Sequence, residues 1–197
     1  MNRLQEKLKQ YHVILGSQSP RRKQLLQGLD IEFTVQVKDT EESYPSEMQL
    51  HMVPEFIALN KFKAFIPQLT ERDLVITADT IVLHNQTILH KPIDTDDAVR
   101  ILQTLSGSSH TVITGVCYGT KQKYLTFSAQ SQVHFAHLTQ ADIDYYVTTY
   151  MPMDKAGAYG VQEWIGYIGI QGIEGSYFNV MGLPVQMLYQ KLLEYEE

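Results

Sequence analysis

The 197-residue sequence is short of several residue types, and each shortage excludes a class of protein. Cys117 is the only cysteine, which excludes an intramolecular disulfide and a thiolate metal cluster. Its apolar neighbours indicate a core residue rather than a nucleophile. No apolar run approaches the length of a membrane span, and residues 1–10 lack the hydrophobic centre of a signal peptide. We therefore expect a cytoplasmic protein with no membrane partner.

Basic residues are also scarce, because Lys and Arg number 16 against 22 Asp and Glu, which gives a formal net charge of -6. A protein that coats nucleic acid needs a broad basic face, so this charge argues against a nucleic-acid partner. Any basic site must be local. The seven histidines lack metal-binding spacing, and the glycines match neither the Walker nor the dinucleotide-binding pattern.

Apolar periodicity and turn residues predict an α/β fold with a mixed β-sheet and flanking helices, arranged as two lobes around a cleft. Helices are predicted over residues 20–28, 54–66, 95–105, 140–150 and from 184 onward, with a short peripheral helix over 3–9. Strands are predicted over residues 11–16, 31–37, 74–78, 81–83, 88–89, 111–118 and 124–138, with an irregular apolar strand region over 165–173.

Two arginines stand at the start of the helix predicted from Pro20. Ser19 can cap that helix, and proline suits its first position. Arg21 and Arg22 then lie at the positive end of the helix, where free amides and the macrodipole favour an anion. An Arg fork grips phosphate oxygens in pairs, so the segment suggests a phosphorylated small molecule. An ordinary capped helix with its arginines in water is an equally open reading of this segment.

Acidic residues supply candidates for catalysis and metal binding. Asp79 ends an apolar strand, where it can abstract a proton or bind a metal. Alternatively, it accepts backbone hydrogen bonds in a tight turn with Thr80. Glu41 and Glu42 follow a strand and suit Mg²⁺, although adjacent acids are often only solvated.

Lys61 and Lys91 are candidate point cations for phosphate, with exposed surface lysines as the alternative reading. The segment 154–162 is rich in glycine and small residues, so its backbone can approach a ligand closely. The amide of Gln162 can donate to a ring carbonyl and accept from a ring N–H, which suits uracil or thymine. Glycines needed only for turns remain the alternative.

Six ordered blocks together resemble the Maf family of nucleoside triphosphate pyrophosphatases. They are SQSPRR at 17–22, TADT at 77–80, KP at 91–92, LSG at 105–107, DKAGAYGVQ at 154–162 and NVMGLP at 179–184. The resemblance implies one Maf-like domain over residues 1–197, with residues 1–10 as an N-terminal extension. It also implies an elongated fold with a nucleotide-binding cleft, usually a homodimer, that cleaves a nucleoside triphosphate between its α and β phosphates.

The resemblance also implies roles for individual residues. Asp79 matches the family's proton acceptor, and Arg21, Thr80 and Gln162 match the specificity positions of the subgroup that hydrolyses dTTP and UTP. Further positions match phosphate or metal handling; they are Ser17, Arg22, Glu42, Lys61 and Lys91. Glu42 and Asp79 would hold a divalent cation, Mg²⁺ or Mn²⁺. The products are a nucleoside monophosphate and pyrophosphate.

Two alternatives remain at this point. A sister subgroup that acts on 7-methyl-GTP has a Trp and a Gln where this chain has Arg21 and Thr80. The second alternative is a non-catalytic nucleotide-binding regulator of cell division. The family suggests removal of unwanted or modified pyrimidine nucleotides and a link to septum formation. Gly172 and the stretch 163–171 depart from the family pattern, which leaves the surroundings of the base site open.

Overall fold

The computed structural model describes residues 1–196, which contain eight α-helices and seven β-strands. The helices are α1 Arg3–Leu8, α2 Pro20–Gln27, α3 Val53–Lys63, α4 Thr95–Leu105, α5 Gln140–Tyr150, α6 Trp164–Gly169, α7 Tyr177–Met181 and α8 Val185–Glu194. The strands are β1 His12–Leu15, β2 Thr34–Val35, β3 Asp73–His84, β4 Thr87–Leu89, β5 Ser109–Gly119, β6 Tyr124–Phe135 and β7 Ile170–Glu174.

The strands form one mixed sheet in the order β2-β1-β3-β5-β6-β7, with β4 paired to β3. β1 runs parallel to β2 and to β3, and its Leu15 lies beside Ile76. β3 and β4 are antiparallel, as are β6 and β7. The predicted α/β fold with a mixed sheet and flanking helices is therefore confirmed, while the cleft stays a prediction.

The chain divides into two compact units. The first contains Met1–Asp79, Thr114–Ala129 and the described residues from Gly182 onward. The second contains Thr80–Ile113 and Gln130–Met181. No helix among the described residues has both the length and the apolar character needed to cross a membrane.

The core of the first unit lies between α3 and the sheet. Its residues are Ile14, Ala58, Phe62, Phe65, Leu69, Val75 and Cys117. Cys117 is fully buried as predicted, and burial raises the pKa of its thiol to about 12, so it is a poor nucleophile. The expectation that residues 3–9 are peripheral is wrong, because Leu4 and Leu8 of α1 are buried and the helix packs against α8.

The second unit has its own core, in which α4 packs against α5. α4 buries Ala98, Ile101, Leu102 and Leu105, which lie on one helical face as the sequence predicted. Asp94 caps this helix by accepting from the backbone N–H of Asp97 at 2.8 Å.

Three predicted elements differ from the structure. The strand expected over residues 31–37 is only Thr34–Val35, because only these two residues pair with β1. The region 165–173 divides into helix α6 and strand β7. The strands expected over 74–78 and 81–83 are parts of one strand, β3, which continues to a hairpin at Asn85 and Gln86. The alternative reading of a tight turn at Asp79 and Thr80 is therefore wrong. The β-branched residues that follow Thr80 favour this extension of the strand.

We expect Gly115→Ala to destabilise the protein by about 1–3 kcal/mol, because a Cβ there would overpack the contact between β5 and the start of α3. An ideal Cβ at Gly115 would lie 2.2 Å from the backbone nitrogen of Glu55 and 2.3 Å from the carbonyl carbon of Pro54. Gly172→Ala is the control, since the nearest atom to its Cβ would lie 3.7 Å away. Urea denaturation of both variants tests this, and equal free energies of unfolding would contradict it.

A buried histidine makes stability depend on pH. His110 is 2% exposed, and its Nε2 lies 2.7 Å from the hydroxyl of Tyr159. Its Nδ1 is buried and has no hydrogen-bond partner among the described residues. Burial, followed by the nearby His84 and His134, lowers the pKa of His110 from 6.5 to about 3. The folded protein therefore holds His110 neutral at a pH where the unfolded chain binds a proton.

We expect this difference to reduce the free energy of unfolding as pH falls below 6.5, with the loss complete near pH 3. Between pH 7 and pH 5 the loss amounts to about 2 kcal/mol. In His110→Gln, which keeps a polar partner for Tyr159 but cannot titrate, this part of the pH dependence disappears. His137→Gln, at an exposed site, should retain it. Denaturation at both pH values measures the effect, and parallel curves for wild type and His110→Gln would refute it.

Candidate active site

The segment after β1 forms one side of the candidate site. Gly16 leaves no room for a side chain, because a Cβ there would lie 2.7 Å from Thr77 and 2.9 Å from Phe65. Ser17 follows and is buried. Ser19 caps α2 by accepting from the backbone N–H of Arg22 at 3.4 Å, and Pro20 is the first helical residue, both as predicted.

Arg22 is held by two hydrogen bonds from its guanidinium. Its Nε donates to the backbone carbonyl of Gly182 at 2.8 Å, and its Nη1 donates to the Ser17 hydroxyl at 3.4 Å. Gly182 has a φ of 115°, a conformation that other residues rarely adopt. The reading of Arg22 as an arginine that simply points into water is therefore wrong, since it is half-buried and oriented by the protein.

The charge of Arg22 is placed where an anion would be favourable. Burial is the largest influence and lowers the pKa of Arg22, and the neighbouring Arg21 lowers it further. The carboxylates of Asp79 and Glu42 act in the opposite direction and raise it. A guanidinium remains charged nevertheless. Because burial and the neighbouring Arg21 both disfavour that charge, a phosphate group bound beside the two arginines would be stabilised.

The other side of the site is an ion-pair cluster. Lys61, on α3, places its Nζ 2.8 Å from Oδ1 of Asp79 and 2.6 Å from Oε1 of Glu42. The side chains of Lys61 and Asp79 are 16% and 13% exposed, whereas that of Glu42 is 49% exposed. The alternative of an ordinary surface lysine is therefore wrong for Lys61, and Glu42 is more than a solvated acid. The adjacent Glu41 is exposed.

A buried hydrogen bond aligns α3 with β3 beside this cluster. The Thr77 hydroxyl donates to the backbone carbonyl of Ala58 at 2.7 Å. Thr77 and Asp79 are two residues apart and so lie on one face of the strand. Ala58 and Lys61 are three apart and share a helix face. The hydrogen bond and the ion pair are thus successive contacts between the same two faces, which fixes Lys61 opposite Asp79.

The carboxylates of Glu42 and Asp79 suit a divalent cation. Both approach the same Lys61 Nζ, so their oxygens converge. Within the described part of the chain, no group of three or more His, Cys, Asp or Glu side chains forms a metal site. Mg²⁺ is commonly held by one or two carboxylates together with water and substrate phosphates, so this pair of ligands fits it.

The remaining predicted site residues belong to the second unit. Thr80 follows Asp79 on β3 and is half-buried, and Lys91 is exposed just after β4. Gln162 lies before α6, and its side-chain carbonyl oxygen is buried without a hydrogen bond from any described residue. A buried acceptor without a donor is costly, so this oxygen is suited to receive a hydrogen bond from a ligand.

Sequence reasoning missed two contributors to the site. The carbonyl of Gly182 orients Arg22 although 160 residues separate them, and Thr77 aligns α3 with β3. A main-chain acceptor carries no side-chain signal. Gly182 lies within the sequence block 179–184 and Thr77 within the block 77–80, and membership of these blocks is the only indication that the sequence gives for them.

The chain is similar to known proteins in both sequence and fold. Proteins named dTTP/UTP pyrophosphatase are 50% identical to the chain in Porphyromonas gingivalis, over 98% of both chains, and in Bacteroides fragilis, over 94% of this chain and 96% of that one. The Staphylococcus aureus Ham1 protein has a similar fold, with a TM-score of 0.55 and 14% identity over 94% of this chain and all of the other. The model of the Maf-like proteins matches residues 12–195, so the chain belongs to the Maf-like family.

Proposed function

We propose that this protein is a nucleoside triphosphate pyrophosphatase that hydrolyses dTTP and UTP to the monophosphate and pyrophosphate. The observation that carries the proposal is the cluster in which Lys61 joins Asp79 and Glu42, with the electrostatic influence of both carboxylates reaching Arg22. Relatives named dTTP/UTP pyrophosphatase at 50% identity support the substrates. Removal of unwanted or modified pyrimidine nucleotides is the role we propose for this activity, and the link to septum formation stays a prediction.

The cationic residues bind the phosphates in this proposal. Arg22, held by Gly182 and Ser17, presents its charge in a fixed orientation, so little side-chain entropy is lost when phosphate binds. Arg21 adds charge at the same helix start, and Lys91 is a further candidate cation for phosphate. Binding of this kind neutralises the triphosphate and aligns the anhydride that is cleaved.

Asp79 orients and deprotonates the attacking water. Its carboxylate is fixed by Lys61 at 2.8 Å, so it is pre-organised for this role. Glu42 and Asp79 would together hold a divalent cation, Mg²⁺ or Mn²⁺. When bound, such a cation neutralises the charge that develops on the phosphate oxygens. Lys61 pairs with both carboxylates and so holds their oxygens close together.

Base recognition is assigned to Gln162, Thr80 and Arg21. The buried side-chain oxygen of Gln162 accepts from the ring N–H of uracil or thymine, and its amide group donates to the adjacent ring carbonyl. Cytosine lacks that ring N–H, so it would leave the buried oxygen without a donor. A homodimer, usual in the family, is proposed as the assembly.

Asp79→Asn should lower kcat for dTTP and UTP on the order of 10²- to 10⁴-fold, because the amide cannot accept the proton from water. Pyrophosphate release with Mg²⁺ or Mn²⁺ measures the rate. Asp73→Asn is the matched control: Asp73 begins the same strand, and its carboxylate accepts from the Thr70 backbone N–H at 2.7 Å, a bond that Asn can keep. Near-normal turnover by Asp79→Asn would exclude a catalytic role for Asp79.

Gln162→Glu should lower kcat/KM for UTP about 10- to 100-fold, because a carboxylate has no N–H for the ring carbonyl and repels it. The loss for CTP should be smaller, since its amino group can donate to the carboxylate, so the preference for UTP over CTP falls. Gln190→Glu is the matched control, because it makes the same chemical change at an exposed site of α8. An unchanged UTP-to-CTP ratio in Gln162→Glu would remove base recognition from Gln162.

A substrate panel separates the proposed function from the alternatives. It contains dTTP, UTP, CTP, GTP, ATP and 7-methyl-GTP, each tested for pyrophosphate release by wild type and Asp79→Asn. We expect Asp79-dependent release from dTTP and UTP. Selective cleavage of 7-methyl-GTP would assign the chain to the sister subgroup. Tight UTP binding without pyrophosphate release would identify a nucleotide-binding regulator instead.

A further inference from the structure

A buried hydrogen-bond network surrounds the turn that carries Gln162. The hydroxyl of Tyr146, on α5, accepts from the backbone N–H of Gly160 at 3.0 Å and donates to the carboxylate of Glu163. The backbone N–H of Glu163 in turn donates to the carbonyl of Gly160 at 3.0 Å. One hydroxyl therefore contacts both ends of the four-residue turn, and Gln162 lies between them.

A buried lysine extends this network. The side chain of Lys155 is 9% exposed, and its Nζ lies 3.2 Å from Glu163 and 2.7 Å from Asp154. Glu163 thus accepts from Tyr146 through one oxygen and pairs with Lys155 through the other. A buried cation needs such a partner, so Glu163 has little freedom to move.

The hydroxyl of Tyr146 is suited to a permanent structural role. Tyr146 is fully buried, and burial followed by the hydrogen bond to Glu163 raises its pKa, so it keeps its proton and stays a donor. Its ring stacks on Tyr150, with centroids 5.1 Å apart and an interplanar angle of 24°. The ring is therefore held by α5 independently of the two hydrogen bonds.

We propose that Tyr146 is a positioning residue for base discrimination, acting through Glu163 and the Gly160–Glu163 turn on Gln162. The inference rests on the proposed function, because it concerns the residue assigned to read the base. The buried side-chain oxygen of Gln162 accepts no hydrogen bond from any described residue. Its position therefore depends on the backbone on either side of Gln162. The hydrogen bonds that join Tyr146 to Gly160 and to Glu163 fix this stretch of backbone.

Tyr146→Phe tests the proposal, because it keeps the stacked ring and removes both hydrogen bonds. We expect KM for UTP to rise about 10- to 100-fold with kcat within about 3-fold of wild type, since a displaced contact weakens recognition of the base. The preference for UTP over CTP should fall by a similar factor. Tyr150→Phe is the matched control on the same helix, because the Tyr150 hydroxyl has no hydrogen bond within residues 1–196.

Trp164, the only tryptophan, gives a readout that does not depend on activity. It lies two residues after Gln162 and packs against Tyr145, with ring centroids 4.8 Å apart. We expect acrylamide to quench its fluorescence more strongly in Tyr146→Phe than in wild type or Tyr150→Phe. Equal quenching and equal kinetics in the two tyrosine variants would overturn the proposal, as would an equal loss of kcat for UTP and CTP with KM unchanged.

Glu163→Gln provides a second variant if Tyr146→Phe does not fold. Its amide has one acceptor oxygen in place of two, so Tyr146 and Lys155 compete for it and the contact from Tyr146 is weakened but not lost. Its KM increase for UTP should therefore be smaller than that of Tyr146→Phe. Where Tyr146→Phe does not fold, a rise in KM and a fall in UTP preference in Glu163→Gln support the proposal. In that case, a wild-type KM for UTP and a wild-type preference for UTP over CTP in Glu163→Gln would overturn the proposal. Where both variants fold, a larger increase in KM for UTP in Glu163→Gln than in Tyr146→Phe would also overturn it.

Calorimetric binding separates failure of this inference from failure of the proposed function. The probe is a UTP analogue whose α–β bridging oxygen is replaced by methylene, compared with the CTP equivalent. If wild type releases no pyrophosphate from any nucleotide, the proposed function is wrong. The inference is still tested in that case: selective loss of affinity for the UTP analogue in Tyr146→Phe supports it, and unchanged affinity overturns it.

Discussion

The pairing of Lys61 with Asp79 and Glu42 is the interaction on which the site depends. Asp79 belongs to a strand buried along most of its length, and a buried carboxylate is unfavourable without an opposite charge nearby. Removing one partner of such a pair typically costs about 3–5 kcal/mol. The cluster therefore constrains both helix and strand: α3 must present Lys61 toward β3, and the bond from Thr77 to Ala58 sets the same alignment two residues earlier on the strand.

The arginine side of the site is constrained differently, through the main chain. Arg22 is oriented by a carbonyl at Gly182, which immediately precedes the segment leading into α8. A neutral acceptor fixes the direction of the guanidinium without cancelling its charge. The first unit thus keeps positive charge at Arg21 and Arg22 while it pairs Lys61 with acids, and this separation suits the binding of a triphosphate and a divalent cation in the proposed function.

Much of the fold was predictable because its signals are local. The cap at Ser19 and the first-turn Pro20 each depend on neighbours within four positions. The strand expected over 31–37 was wrong in its length because pairing with β1, not propensity, sets the extent of β2. The range of α1 was predicted well, but its expected peripheral position was wrong for the same reason: only the packing against α8 shows that Leu4 and Leu8 are buried.

The candidate site divides in the same way between what residue type shows and what only the structure shows. The charged residues and Gln162 could be named from sequence, because their chemistry is in their side chains. The contacts that position them join residues distant along the chain, as with Thr77 and Ala58 or Tyr146 and Glu163. The ring of Tyr146 is buried and packs on Tyr150, and nothing in the helical pattern of α5 indicates where its hydroxyl points. In the proposed function, recognition of the base thus depends on side chains that sequence can identify and on a hydrogen-bond network that it cannot.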